Sequence, residues 1–161
     1  MKAKDVMIPI SGYLSPDATI EEAVNALISA KRGEERTGVK GLPVLDGKRR
    51  LIGMLTMRDI LKAVFPTYMS FMNLGDFTWD GMLEEMARKV AARKVETVMT
   101  KDVMTVREEA PLMECVDHMI KGNIKRLPVV DESGGVVGML YERDIFLAIT
   151  KAMHQERGPG S

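Results

Sequence analysis

The chain has 161 residues, 45% hydrophobic and 29% charged, with 23 Lys and Arg balanced by 23 Asp and Glu. A formal net charge of zero argues against a general polyanion binder, and the apolar share is too high for a disordered composition. The one cysteine, Cys115, cannot form an internal disulfide, and "MKAKDVMIPI" at the start lacks the apolar run of a signal peptide or membrane span, so a reducing cytoplasm is the expected compartment, with no direct nucleic-acid or membrane signal.

After that lead-in, "TIEEAVNALISA" places Ile20, Ala23, Val24, Leu27 and Ile28 on one helical face, and Thr19 with Glu22 has the spacing of a capping box. The polar stretch "SAKRGEERTG" reads as a surface loop. "LPVLD" and "LIGML" read as two strands joined by a tight turn, with Pro43 at a strand entrance, where its missing N–H costs least. A second helix is expected from Asp59 through Val64, interrupted by Pro66. The stretch Phe65 to Trp79 then holds five of the chain's eight aromatics, an unusual composition for a solvated linker. Beyond it, "DGMLEEMARKVAARKV" has acids early and bases late, as the helix dipole favours, with Leu83, Met86 and Val90 as an apolar stripe that covers its own core or a partner.

The same succession then returns. "TVMTKDVMTV" is a second lead-in, and "APLMECVDHMIKG" gives a helix with Pro111 at its first position, Leu112, Cys115, Met119 and Ile120 as its stripe, and Gly122 as its stop. "LPVVD" and "VVGML" are again strands, and a last helix runs from Asp144 through Ile145, Ala148, Ile149 and Ala152. The repeat is specific: Pro43, Gly53 and Asp59 recur 85 residues later as Pro128, Gly138 and Asp144, while Met7 recurs 92 residues later as Met99. A unit of about 55 residues buries too little of its surface to be comfortable alone, so the two copies are expected to pack as a pseudo-dimer. The expected division is a first repeat over 1–64, a connecting segment with a helix over 65–95, a second repeat over 96–154 and a flexible tail over 155–161.

The groups with chemical potential lie where the last strand of each copy meets its second helix: Thr56, Arg58 and Asp59, then Tyr141, Arg143 and Asp144. A helix start presents unpaired N–H groups, so a hydroxyl and a guanidinium there can complete a phosphate cradle, and a carboxylate can accept two hydrogen bonds from a ribose diol. Asp59 and Asp144 can equally be simple N-caps. His118 and His154 lack the companions of a metal site, Cys115 lies on an apolar face, and no nucleophile triad or Walker-type phosphate loop occurs. Most of the fourteen methionines, Met54, Met57, Met113, Met119 and Met139 among them, read as core filler, and a minority could pack on an aromatic face.

Taken together, "DVMIPI" and "TVMTKDVMTV", "GLPVLD" and "RLPVVD", and "GMLTMRDIL" and "GMLYERDIF" resemble a tandem pair of cystathionine-β-synthase (CBS) domains, often called a Bateman module, over residues 4–64 and 96–152. The resemblance implies an α/β fold of two β-α-β-β-α repeats packed as a pseudo-two-fold pair, with the aromatic-rich, partly helical segment inserted between them. It also implies a regulatory role, with AMP, ADP, ATP or S-adenosylmethionine bound in two clefts between the repeats and Mg²⁺ entering only through phosphates. By that resemblance the first cleft uses Met54, Thr56, Arg58 and Asp59, with Thr100, Val103, Lys125 and Arg126 from the second copy. The second uses Met139, Tyr141, Arg143 and Asp144, with Ile8, Tyr13, Val39, Lys40 and Gly41 from the first copy. Tyr141 stands where the family pattern has a compact Ser or Thr, and Ile8 where it has a hydroxyl, so the second cleft is expected to be plugged or altered for a phosphorylated ligand. Lys125 and Arg126 can also be a solvated strand edge that discourages aggregation. The resemblance further implies a homodimer and an effector protein that reads the ligand. The competing function is an interaction scaffold with degenerate clefts acting through homodimer or partner contacts, and no residue set supports an enzyme.

Overall fold

The computed structural model describes residues 1–32, 36–65 and 81–155. It forms two units of mixed helices and strands: Ser11–Val103, and Met1–Ile10 together with Met104–Ser161. Each repeat is contiguous in sequence, but one unit is assembled from two separate stretches, and the difference lies in where the lead-ins pack.

In the unit Ser11–Val103, helix α2 (Ile20–Ser29) follows the short α1 (Ala3–Val6) of the other unit. Thr19 starts α2 by accepting the Glu22 N–H at 3.2 Å. Ile20, Ala23 and Leu27 are buried from this helix, and Ile28 is left exposed. The polar stretch expected as loop forms a small antiparallel ladder instead, β1 (Lys31–Arg32) against β2 (Arg36–Thr37). Strands β3 (Gly41–Leu45) and β4 (Leu51–Thr56) make the expected antiparallel hairpin, with Gly41 opposite Thr56 and Pro43 opposite Met54. Asp46 closes its turn by accepting the N–H groups of Lys48 at 2.8 Å and Arg50 at 2.9 Å, which hold its carboxyl below the usual range. Helix α3 (Met57–Val64) follows β4 without a linker. Helix α4 (Met82–Ala91) buries Val90 but leaves Leu83 exposed, so only the end of its predicted stripe reaches the core. That core joins Leu14, Ile20, Leu27, Val44, Leu55 and Val95 across the elements. The aromatic stretch is described only at Phe65; residues 66–80 lie outside the described residues.

The other unit repeats the plan with β5 (Val106–Arg107), α5 (Leu112–Gly122), β6 (Arg126–Val130), β7 (Val136–Tyr141) and α6 (Glu142–Met153). Its core is built from Ala3, Leu112, Cys115, Leu127, Leu140 and Ile145. Burial raises the Cys115 thiol pKa, which keeps it an uncharged packing group. Pro111 stands at the N-cap rather than the first helical position, and Gly122 is the last helical residue. The residue in the left-handed conformation that ends α5 is Asn123, at φ 49°.

Each hairpin gains a lead-in along the free edge of its last strand. Thr100 and Met54 exchange N–H···O=C bonds of 2.8 and 2.9 Å, and Ile8 and Met139 exchange a pair of 2.9 and 2.8 Å. The first copy's lead-in therefore belongs to the unit of the second hairpin, and the second copy's lead-in to the unit of the first. This pairing explains the prolines, which stand mid-strand and not at the entrance. Met54 and Met139 direct both backbone groups at the lead-ins, so Pro43 and Pro128 opposite them meet no acceptor that needs an N–H.

Candidate functional site

The β4–α3 junction gathers three of the predicted site residues by hydrogen bonds. Thr56 leaves the sheet in an extended conformation, at φ −117° and ψ 162°, and caps α3. Its Oγ1 accepts the Asp59 N–H at 3.2 Å, and Asp59 Oδ2 accepts from the Thr56 N–H at 2.9 Å and from the Thr56 hydroxyl at 3.0 Å. The N-cap is therefore Thr56, and Asp59 is the third helical residue of a capping box rather than the cap itself. Asp59 Oδ1 accepts from the Thr100 hydroxyl at 2.8 Å. Asp59 and Thr56 are half-buried, so the carboxylate is held in place while solvent still reaches it.

The lead-in can deliver Thr100 because Gly53 lets it approach. A Cβ on Gly53 would lie 2.7 Å from Met99 Sδ and 2.9 Å from the Thr100 carbonyl oxygen. Neither is a distance real Cβ atoms keep, so the methionine of the "TVM" motif packs over the glycine of the "GML" motif. The second copy repeats this: a Cβ on Gly138 would lie 2.7 Å from Met7 Sδ.

Of the remaining first-cleft residues, Met54 is buried in β4, Arg58 is exposed on the first turn of α3, and Val103 is half-buried at the end of the same unit. Lys125 and Arg126 belong to the other unit. There Arg126 pairs with Tyr141 in the hairpin, and the Lys125 carbonyl accepts the Glu142 N–H at 2.9 Å. In the unit of Asp59, the matching place is taken by Lys40, whose carbonyl accepts the Met57 N–H at 2.9 Å, with Gly41 opposite Thr56 and Val39 buried beside it. Tyr13 lies toward the turn end of its hairpin, where the Arg49 guanidinium sits 5.2 Å from its ring centroid. Around Asp144, Met139 is buried and bonded to Ile8, Arg143 is exposed, and Tyr141 is 7% exposed without capping α6 through its side chain. Sequence reasoning grouped Thr100 with Asp59 through the family resemblance but did not give the hydrogen bond between them.

A separate apolar groove of about 540 Å³ runs between α2 and α3, lined chiefly by Val24, Leu27, Ile28, Met57, Ile60 and Leu61. It does not include Thr56, Asp59 or Thr100.

The chain belongs to the CBS domain family, whose model matches residues 3–66 and 95–151. It is 31% identical to inosine-5'-monophosphate dehydrogenase of Methanocaldococcus jannaschii over 144 residues, which cover 89% of this chain and 23% of that enzyme. The likeness thus spans less than a quarter of that relative, and the chain spans 45% of a second relative from the same organism, the uncharacterized protein MJ1225, at 27% identity. Among solved structures, the CBS-pair protein CBSX2 of Arabidopsis thaliana matches with a TM-score of 0.74 at 23% identity, covering 96% of this chain and 98% of that one. A second structure of CBSX2 was determined in complex with AMP. The CBS domain pair of protein MJ0100, in complex with 5'-methylthioadenosine and S-adenosylmethionine, matches with a TM-score of 0.69 at 25% identity, covering 94% and 98%. The α/β architecture of two CBS repeats expected from the sequence is the one found.

Proposed function

We propose that this chain is a regulatory module that binds an adenosyl ligand, either an adenine nucleotide or S-adenosylmethionine, and signals its occupancy by a conformational change to an effector protein. The observation that carries the reading is the placement of Asp59. Its carboxylate is oriented by Thr56 and Thr100 at a half-buried helix start; with three hydrogen bonds already accepted, it has room for one ribose hydroxyl, and the second competes with Thr100 for Oδ1. The N–H groups at the start of α3 and the exposed Arg58 supply positive potential for a phosphate on the same ligand. Ligand complexes of CBSX2 and MJ0100 support the ligand class. The signal follows from the same bond: Thr100 lies three residues before the chain leaves its unit at Val103, so a ligand that competes for Asp59 acts on that lead-in. Ligand switches the module only in so far as it favours one arrangement over another.

Calorimetric titration with AMP, ADP, ATP and S-adenosylmethionine tests this. Wild type is expected to bind at least one of them, and Asp59→Asn, which keeps a capping oxygen but loses the charge, is expected to bind it at least about tenfold more weakly, the cost of one charge-assisted hydrogen bond. Undiminished binding by Asp59→Asn, or no binding by wild type, overturns the reading.

The α2–α3 groove favours a second reading, an interaction scaffold acting as a homodimer or through a partner protein. Met57 and Leu61 are more than half exposed along it, as apolar side chains awaiting a partner are. Light scattering on wild type and Leu61→Glu checks it: a dimer that dissociates in the variant supports this role, and a monomeric wild type removes the homodimer.

A further inference from the structure

Met99 and Met7 hold the same place in the two units. Each closes a helical turn through its own N–H, Met99 on the Val95 carbonyl and Met7 on the Ala3 carbonyl, both at 2.8 Å. The residue after each, Thr100 or Ile8, exchanges two backbone hydrogen bonds with Met54 or Met139. Between these two anchors the thioether lies over a glycine, so close that a Cβ on Gly53 or Gly138 would stand 2.7 Å from the sulfur. Among the described methionines, Met7 and Met99 are the two that are half-buried while packed against a hydrophobic core. The others are exposed, as Met113 and Met153 are, buried, as Met139 is, or half-buried outside both cores, as Met82 and Met86 are.

That combination makes the sulfur both reachable and consequential. We infer that Met7 and Met99 are oxidation sites for a small peroxide, and that their sulfoxides loosen each lead-in from its hairpin. A lone pair on the sulfur attacks one oxygen of hydrogen peroxide, and the O–O bond breaks as the S–O bond forms. The sulfur gives two electrons to the peroxide, and the proton on the transferred oxygen passes to the departing hydroxide, which leaves as water. The product carries a polar oxygen where only a glycine left room for the thioether. The backbone oxygen that shares the space over each glycine, from Thr100 or Ile8, is an acceptor and offers the sulfoxide no hydrogen bond. With the methionine backbone held on both flanks, the sulfoxide leaves the glycine only by uncovering the core and loosening the backbone pair that follows it. In the first hairpin the Thr100 hydroxyl is drawn from Asp59 as well. The inference does not depend on what Asp59 binds.

Treatment of the full chain with hydrogen peroxide, followed by peptide mass mapping and by amide hydrogen exchange resolved by NMR, tests it. Sulfoxide is expected at Met7 and Met99 as well as at the exposed Met113 and Met153. Exchange at the paired amides of Thr100, Met54, Ile8 and Met139 is expected to speed at least about tenfold, the factor for one ordinary hydrogen bond. It is expected to slow again once the two methionine sulfoxide reductases, one for each epimer, have removed the oxygen. In the double variant Met7→Leu, Met99→Leu the remaining methionines oxidise while these four amides keep their rate. Met7 and Met99 left unoxidised when Met113 and Met153 are fully converted overturns the inference, and so does their oxidation with no change at the four amides. Either result decides the matter even if the variant does not fold. Exchange that stays fast after the sulfoxides are reduced shows damage rather than a switch and overturns it too. A folded variant whose four amides speed as those of wild type do overturns the assignment to these two residues.

Discussion

Thr100 and Asp59 are 41 residues apart in the chain, and the Thr100 hydroxyl donates to Asp59 Oδ1 at 2.8 Å. The bond ties the second repeat's lead-in to the final helix of the first. Because Thr100 is exposed, water competes for the carboxylate, and the bond is worth about 1 kcal/mol, no more than an ordinary neutral hydrogen bond. Thr100→Val keeps the shape and removes the donor, so urea unfolding is expected to show that loss, with Thr100→Ser recovering most of it. Equal stability of Thr100→Val and wild type would mean that the bond contributes nothing.

The approach of the lead-in depends on Gly53. Alanine there puts its methyl 2.7 Å from Met99 Sδ and 2.9 Å from a backbone oxygen, and the backbone oxygen cannot swing away. Gly53→Ala is expected to cost about 1–3 kcal/mol, the range for overpacking, and Gly138→Ala a similar amount for the same reason. Chemical denaturation measures both, and a neutral Gly53→Ala would contradict the described packing of the "TVM" methionine.

Thr56 satisfies the Asp59 N–H at the start of α3, so Thr56→Ala is expected to lose about 1 kcal/mol, while Thr56→Ser keeps the oxygen and most of the stability. The comparison separates the hydroxyl from the bulk of the side chain.

Much of this fold is written locally in the chain. The stripe of α2, the Thr19 cap, the hairpins and the duplication all follow from spacing, because each depends on residues close in sequence. The features that escaped depend on partners far away. Pro43 looked like a strand-entrance residue because nothing near it reveals that Met54 spends its backbone groups on Thr100. Asp59 looked like a cap because an acid at a helix start is ambiguous, and the threonine three residues earlier takes that role. Leu83 fits the stripe of α4, yet the core reaches only the Val90 end of that helix. The candidate site was legible as residue types through the family resemblance, and its hydrogen-bond connections were not.

Acid should loosen the N-terminal arm. Hydrogen bonds from Lys2 at 2.7 Å and Lys4 at 2.8 Å lower the Glu109 carboxyl from an ordinary 4.5 to about 2. A carboxyl whose folded value is depressed adds stability above its unfolded value and loses it as pH falls through the folded one. The contribution of Glu109 is therefore present above pH 4.5 and lost progressively toward pH 2. All three side chains are exposed, so the effect is small and screened by salt. Stability measured against pH should fall less steeply over this window in Glu109→Gln than in wild type, and the difference should shrink in high salt. Parallel curves at low salt would show that the pairs do not form in solution.

The crystal structure of the chain grown with AMP tests the central claim most directly. The account predicts nucleotide at the start of α3, with ribose hydroxyls within about 3.2 Å of the Asp59 carboxylate. Nucleotide bound away from α3, with the Asp59 carboxylate still engaged only by Thr56 and Thr100, would contradict it.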